Sequence, residues 1–142
     1  MYQRIPLLIH FPENEHAGTL NNDVQNIDIP VTLLDYLGLP RPKWMTGTSL
    51  LNGEPPSDRE IMSTTSGSPK KIAPPFYQIQ TVQVIVCQKW YVLNVRENSW
   101  NTGTIQEHTA KCGETLLPAE EEVHRTILEY LEKYDYNISS LK

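Results

Sequence analysis

Residues 26–51 (NIDIPVTLLDYLGLPRPKWMTGTSLL) hold a helix, both of its ends and its exit in one stretch, and the rest of the chain has to be arranged around them. Asp28 suits the N-cap, where a carboxylate accepts a backbone N–H and lies at the positive end of the helix dipole. Pro30 falls in the first turn, whose N–H groups have no intrahelical acceptor to lose. Pro30, Leu33, Leu34 and Leu37 recur at i, i+3, i+4 and i+7, which predicts one apolar stripe facing a core. Gly38 supplies the left-handed residue that ends the helix, and Pro40 and Pro42 keep the chain extended beyond it. A helix over 28–38 follows.

Upstream, residues 5–11 (IPLLIHF) form an apolar run broken only by His10, short enough for a strand covered on both faces. Such a strand needs a sheet that the local sequence does not supply. Residues 12–26 are polar, with Gly18 and the pair Asn21–Asn22, and read as a surface loop. After Leu51, the sequence NGEPPSD marks a turn and a subdomain boundary. Residues 60–65 suit a short strand, and 63–75 (STTSGSPKKIAPP) read as a mobile loop. Residues 77–96 alternate at Val82, Val84 and Val86 against Gln80, Gln83 and Gln88, then run apolar again from Trp90 to Val95. Two antiparallel strands with a hairpin at Gln88–Lys89 are expected. Residues 97–103 carry turn chemistry, and 104–109 could add a strand. Residues 118–135 predict a helix with Pro118 at its start, Glu120 to Glu122 on the dipole, and Val123, Ile127, Leu131 and Tyr134 as its stripe. The fold class is therefore α/β with an α+β second part: residues 1–53 an edge of an α/β domain, residues 54–142 a small antiparallel sheet with a C-terminal helix.

Composition narrows the function. The chain has 142 residues, a formal charge of −5 and no Lys/Arg cluster beyond Lys70–Lys71, which argues against a nucleic-acid surface. No apolar run approaches the length that crosses a bilayer, and no signal peptide precedes Arg4. The eleven prolines suit extended connections better than a helical bundle. Cys87 and Cys112 lack metal-site spacing; a disulfide in an exported protein and two separate thiols both stay open.

Three blocks in order carry a family resemblance: RIPLLIHFP (4–12), IDIPVTLLDYLGL (27–39) and P-x-x-x-x-G-T-S-L-L (42–51). Together they resemble the late part of a sulfatase, in which a strand R-[VI]-P, a helix opening D-x-x-P-T-L-L, a G-[LI]-x-x-P turn and G-x-S-L follow one another. Pro30 stands two residues after Asp28 where the family has its proline three after, a shift that stays within the first helical turn. Farther on, Lys89–Trp90–Tyr91 is similar to a K-[YW] pair of the sulfatase C-terminal subdomain, but NVRENSW stands where the family has E-L-Y-D-L.

The resemblance implies sulfate- or phosphate-ester chemistry of the alkaline phosphatase superfamily, with relatives among phosphoglycerol and phosphoethanolamine transferases. That chemistry uses an activated nucleophile beside a divalent cation such as calcium, magnesium, manganese or zinc. The family nucleophile motif C/S-x-P-x-R and the metal-ligand motif D-H-G or D-N-G are absent from this sequence. The expectation is a C-terminal piece that is inactive alone, carries no catalytic residue and no metal ligand, and partners the upstream catalytic portion or associates with itself through residues 5–11. The alternative is a free-standing, non-catalytic binding or oligomerisation module. Many relatives are exported or membrane-tethered; a cytoplasmic location stays open.

Local residues offer little independent chemistry. His10 is the pocket-lining candidate, because strand ends are where α/β sites open. His16 reads as solvated, and His124 as packing at the edge of the last helix's stripe. His108 and Cys112 have i, i+4 spacing but no third and fourth ligand. Asp28 and Asp35 share a helix face, the first as a cap and the second as a solvated position. Trp44, Trp90 and Trp100 suit core and turn packing better than a carbohydrate platform, and Asn137–Ile138–Ser139 fits the glycosylation pattern.

Overall fold

The computed structural model describes residues 5–66, 79–105, 112, 117–136 and 138–139. They form two compact units, one of residues 1–21 and 26–54, the other of residues 22–25 and 55–142. The fold is mixed α/β, with a four-stranded antiparallel sheet and two helices, one of them C-terminal.

In the first unit, helix α1 spans Asp28–Tyr36. Its C-terminus is built as the sequence predicts: Gly38 has φ 64°, its N–H donates to the Asp35 carbonyl at 3.0 Å, and Leu39 N–H donates to the Leu34 carbonyl at 2.8 Å. This paired pattern satisfies two of the carbonyls that a helix end leaves open. Its N-terminus differs from expectation. Ile27 is the N-cap, without a side-chain cap bond, and Asp28 is the first helical residue and fully buried. The predicted stripe also lies on the wrong side. Asp28, Val31 and Thr32 are buried, whereas Leu33 is 44% and Leu37 64% exposed and Pro30 is exposed.

Residues 5–11 correct a second expectation, since they form no strand and Ile5 is 78% and Leu8 92% exposed. A strand is held by hydrogen bonds to neighbouring strands, and all the described strands belong to the other unit. Phe11 is the exception in the run, buried against Tyr36 with ring centroids 4.7 Å apart. The expected surface loop follows, opening with a short 3-10 turn at Pro12–Asn14.

The second unit is a meander of β1 (Ile61–Ser66), β2 (Ile79–Val86), β3 (Lys89–Asn94) and β4 (Ser99–Thr104), each antiparallel to the next. Register puts Val84 opposite Met62 and Tyr91, and Leu93 opposite Val82 and Trp100, so these residues share one face. Helix α2 (Glu120–Lys133) covers that face with Val123, Ile127 and Leu131, all fully buried in a cluster with Val82, Val84, Val86, Tyr91 and Leu93. The stripe stops there, because Tyr134 is 53% exposed rather than packed. Pro118 precedes the helix and its N-cap Ala119. At the other end Asp135 takes φ 60°, and Tyr136 N–H donates to the Leu131 carbonyl at 3.0 Å.

Strand boundaries shift slightly from the sequence reading. The strand read over 60–65 is β1 (Ile61–Ser66), which takes in residues 63–66 of the stretch also read as loop, and 67–75 lie outside the described residues. The hairpin turn is Cys87–Gln88, one residue earlier than predicted, because Val86 pairs with Lys89. Residues 99–103, predicted as turn, are in β4. The turn before them is tightened by Asn94, whose Oδ1 accepts from the N–H groups of Arg96 and Glu97 at 3.2 and 3.3 Å. Of the strand suggested for 104–109, Thr104 ends β4 and 106–109 lie outside the described residues.

Candidate functional site

The most ordered polar arrangement in the first unit runs along α1. Asp28, Thr32 and Asp35 recur at i, i+4 and i+7, so one face of the helix is polar from end to end. Residues 47–52 lie along that face. Asp28 Oδ1 accepts from Thr48 N–H at 2.8 Å, and Thr32 Oγ1 accepts from Leu50 N–H at 3.0 Å while donating to the Asp28 carbonyl at 2.7 Å. Asp35 Oδ2 accepts from the Ser49 hydroxyl, and from Asn52 Nδ2 at 3.3 Å. Asp35 is therefore engaged rather than merely solvated, and Asp28 holds a loop rather than capping its own helix.

Gly47 explains how the loop comes so close. A Cβ built there would stand 2.0 Å from the Ile27 carbonyl oxygen, so only glycine allows this approach to the helix start. Arg41 secures the same point from outside, donating from its guanidinium to the Gly47 carbonyl at 3.1 Å. The G-T-S-L block that carried the family resemblance is thus a fitted partner of the D-x-x-x-T-x-x-D face. The sequence signal was available in the shared face of Asp28 and Asp35, but not what would meet it.

This ladder binds the chain to itself and supplies no catalytic pair. Seven residues at the helical rise put Asp28 and Asp35 about 10 Å apart along the axis, too far to share one cation. Among the described residues, no group of three His, Cys, Asp or Glu side chains could hold a metal ion.

The histidines separate clearly. His10, the pocket-lining candidate, is exposed and lies in a stretch that forms no strand in this chain. His16 is exposed as expected, yet its ring meets Phe11 edge-on at 5.4 Å and Tyr36 at 6.1 Å. Tyr36 hydroxyl donates to Glu15 at 3.2 Å, and desolvation followed by the Glu15 carboxylate raises its pKa. His124 stacks on Trp100 with centroids 3.9 Å apart and an interplanar angle of 30°, and its Nε2 lies 3.5 Å from the Glu120 carboxylate. His108 lies outside the described residues, and Cys112 is bonded to Cys87, which removes the H-T-A-K-C pair as a metal site.

The tryptophans divide as well. Trp100 packs against the core cluster, and Trp90 lies over Gly103, where a Cβ would stand 2.6 Å from the indole. Trp44 is 76% exposed and packs in no core. In the glycosylation pattern, Asn137 lies outside the described residues and Ile138 is buried in the core cluster. No described helix is long and apolar enough to cross a membrane.

Comparison with known proteins bears on the N-terminal part of the chain. Residues 1–60 match the family described as N-sulphoglucosamine sulphohydrolase, C-terminal. That stretch holds the α1 ladder and the RIP, TLL and G-T-S-L blocks, and the match supports their resemblance to the late part of a sulfatase. No curated protein matches the chain.

Proposed function

We propose that this chain is a non-catalytic C-terminal part of a sulfatase-like enzyme that hydrolyses or transfers sulfate or phosphate esters with a divalent metal. Its role is structural: residues 5–11 complete the large sheet of the catalytic portion, the α1 ladder fixes the exit from that sheet, and the sheet unit walls the pocket. One observation carries this reading. The stretch matched to the sulfatase family holds Ile5 at 78% and Leu8 at 92% exposure, apolar surface of the kind a neighbouring strand covers. Nucleophile and metal ligands belong to the catalytic portion, since the sequence has no C/S-x-P-x-R and no D-H-G.

The test is an ester-hydrolysis assay on the purified 142-residue chain with calcium, magnesium, manganese and zinc in turn, using aryl sulfate and phosphodiester substrates. No turnover is expected alone. Turnover that depends on added metal would overturn the reading. Co-expression with a sulfatase catalytic portion should yield a complex in which residues 5–11 gain amide protection. A stable homodimer protected at the same amides would favour the free-standing module instead.

A further inference from the structure

The chain has two cysteines, and both are in the one disulfide, Cys87–Cys112. We infer that this disulfide is the clasp on which the sheet unit's fold depends, and that the protein matures and works in an oxidising compartment. Cys87 occupies the first position of the two-residue β2–β3 turn with φ 55°, a left-handed conformation that glycine, asparagine and aspartate adopt readily and cysteine does not. The turn is therefore held from outside its own sequence.

Position and burial say what holds it. Cys87 is 3% exposed and belongs to the same core cluster as Val86, Val123 and Ile127, against which Cys112 also packs. Cys112 lies between the end of β4 at Thr104 and the start of α2 at Glu120. The bond thus ties the hairpin's end to the connection that delivers the covering helix. It closes 25 residues of separation, which restricts the unfolded chain as well as fixing the folded one.

The chemistry of its formation sets the compartment. One cysteine thiolate attacks the disulfide of an oxidised dithiol carrier, and the second thiolate displaces the carrier, which leaves as a dithiol after taking up the two electrons. Dithiol reductants of a reducing cytoplasm drive the reverse exchange, and disulfides persist in oxidising compartments. In the folded protein the nearly buried Cys87 sulfur is shielded from such attack.

The test counts thiols and measures stability. Protein isolated from its own host, with thiols blocked at lysis and then denatured, should show no free thiol by maleimide mass labelling. Complete reduction with dithiothreitol should lower Tm by about 10–20 °C. Cys87→Ser/Cys112→Ala should show the same loss, and Cys87→Gly/Cys112→Ala should recover part of it, because glycine relieves the turn. Two titratable thiols in the host-isolated protein would overturn the compartment, and an unchanged Tm on full reduction would overturn the clasp. A failed or successful esterase assay leaves both readouts unaffected.

Discussion

The Asp28 carboxylate, fully buried at the start of α1, accepts the backbone N–H of Thr48 at 2.8 Å, twenty positions along the chain. A buried carboxylate is tolerated where donors satisfy it. The Thr48 N–H is a donor that makes the burial of Asp28 tolerable.

Removing the acceptor should accordingly cost more than an ordinary surface change. Asp28→Ala leaves Thr48 N–H without its carboxylate partner and should destabilise the first unit by about 2–3 kcal/mol. Asp28→Asn keeps an oxygen in place and should cost about half as much. Amide hydrogen exchange at Thr48 reads the effect locally, with protection expected to fall roughly 10-fold or more in the alanine variant. Unchanged protection would mean that the bond contributes nothing.

Gly47 gives a harder constraint on the same contact. The atoms a Cβ would meet, at 2.0 and 2.6 Å, are the Ile27 carbonyl oxygen and carbon, backbone that cannot rotate away. Gly47→Ala should displace the loop and cost about 3 kcal/mol or more. Loss of exchange protection at both Thr48 and Leu50 would mark the loop's departure, since Leu50 N–H donates to Thr32 on the same helix face. A variant with wild-type protection at both amides would show that the approach is not tight.

These contacts mark where sequence reading stopped. Val82, Val84 and Val86 alternate, and Val123, Ile127 and Leu131 repeat every helical turn, so the sheet and its helix announced themselves through apolar periodicity. Gly38 announced the end of α1 because its left-handed conformation is specific. The packed face of α1 was illegible, because Asp28, Thr32 and Asp35 have the composition of a solvent face until Thr48, Ser49, Leu50 and Asn52 supply their donors and acceptors. Residues 5–11 have strand composition, yet composition supplies no neighbouring strand. The pairing of Cys87 with Cys112 was open because their separation of 25 is silent about the 5.4 Å between their Cα atoms.

Across the sheet unit, Trp100 on β4 and His124 on α2 stack at 3.9 Å and join strand to helix at the rim of the core. Trp100→Ala and His124→Ala should each destabilise, Trp100→Ala by about 2–3 kcal/mol because the indole is half-buried as well as stacked. The double variant should lose less than the sum, with a coupling of about 0.5–1.5 kcal/mol by thermal or urea unfolding. Additive losses would mean that the two rings are neighbours without a stacking energy.

Glu60, just before β1, gives a pH dependence with a definite sign. Partial burial, and then the negative charge of Glu122 in the first turn of α2, raise its pKa above the ordinary carboxylate value. A raised pKa means that the folded state binds this proton more tightly than the unfolded chain does. The stabilisation is fully present below the unfolded pKa and is lost as pH rises through the raised folded value. At neutral pH the ionised Glu60 is a liability that Glu60→Gln removes. The variant's Tm should match wild type in acid and exceed it at pH 7, with the difference opening as pH rises from the ordinary carboxylate value through the raised one. Glu122→Gln should reproduce a smaller part of the gain, because charge repulsion is the lesser of the two causes. A difference curve that is flat from acid to neutral pH would show that Glu60 titrates as it does in the unfolded chain.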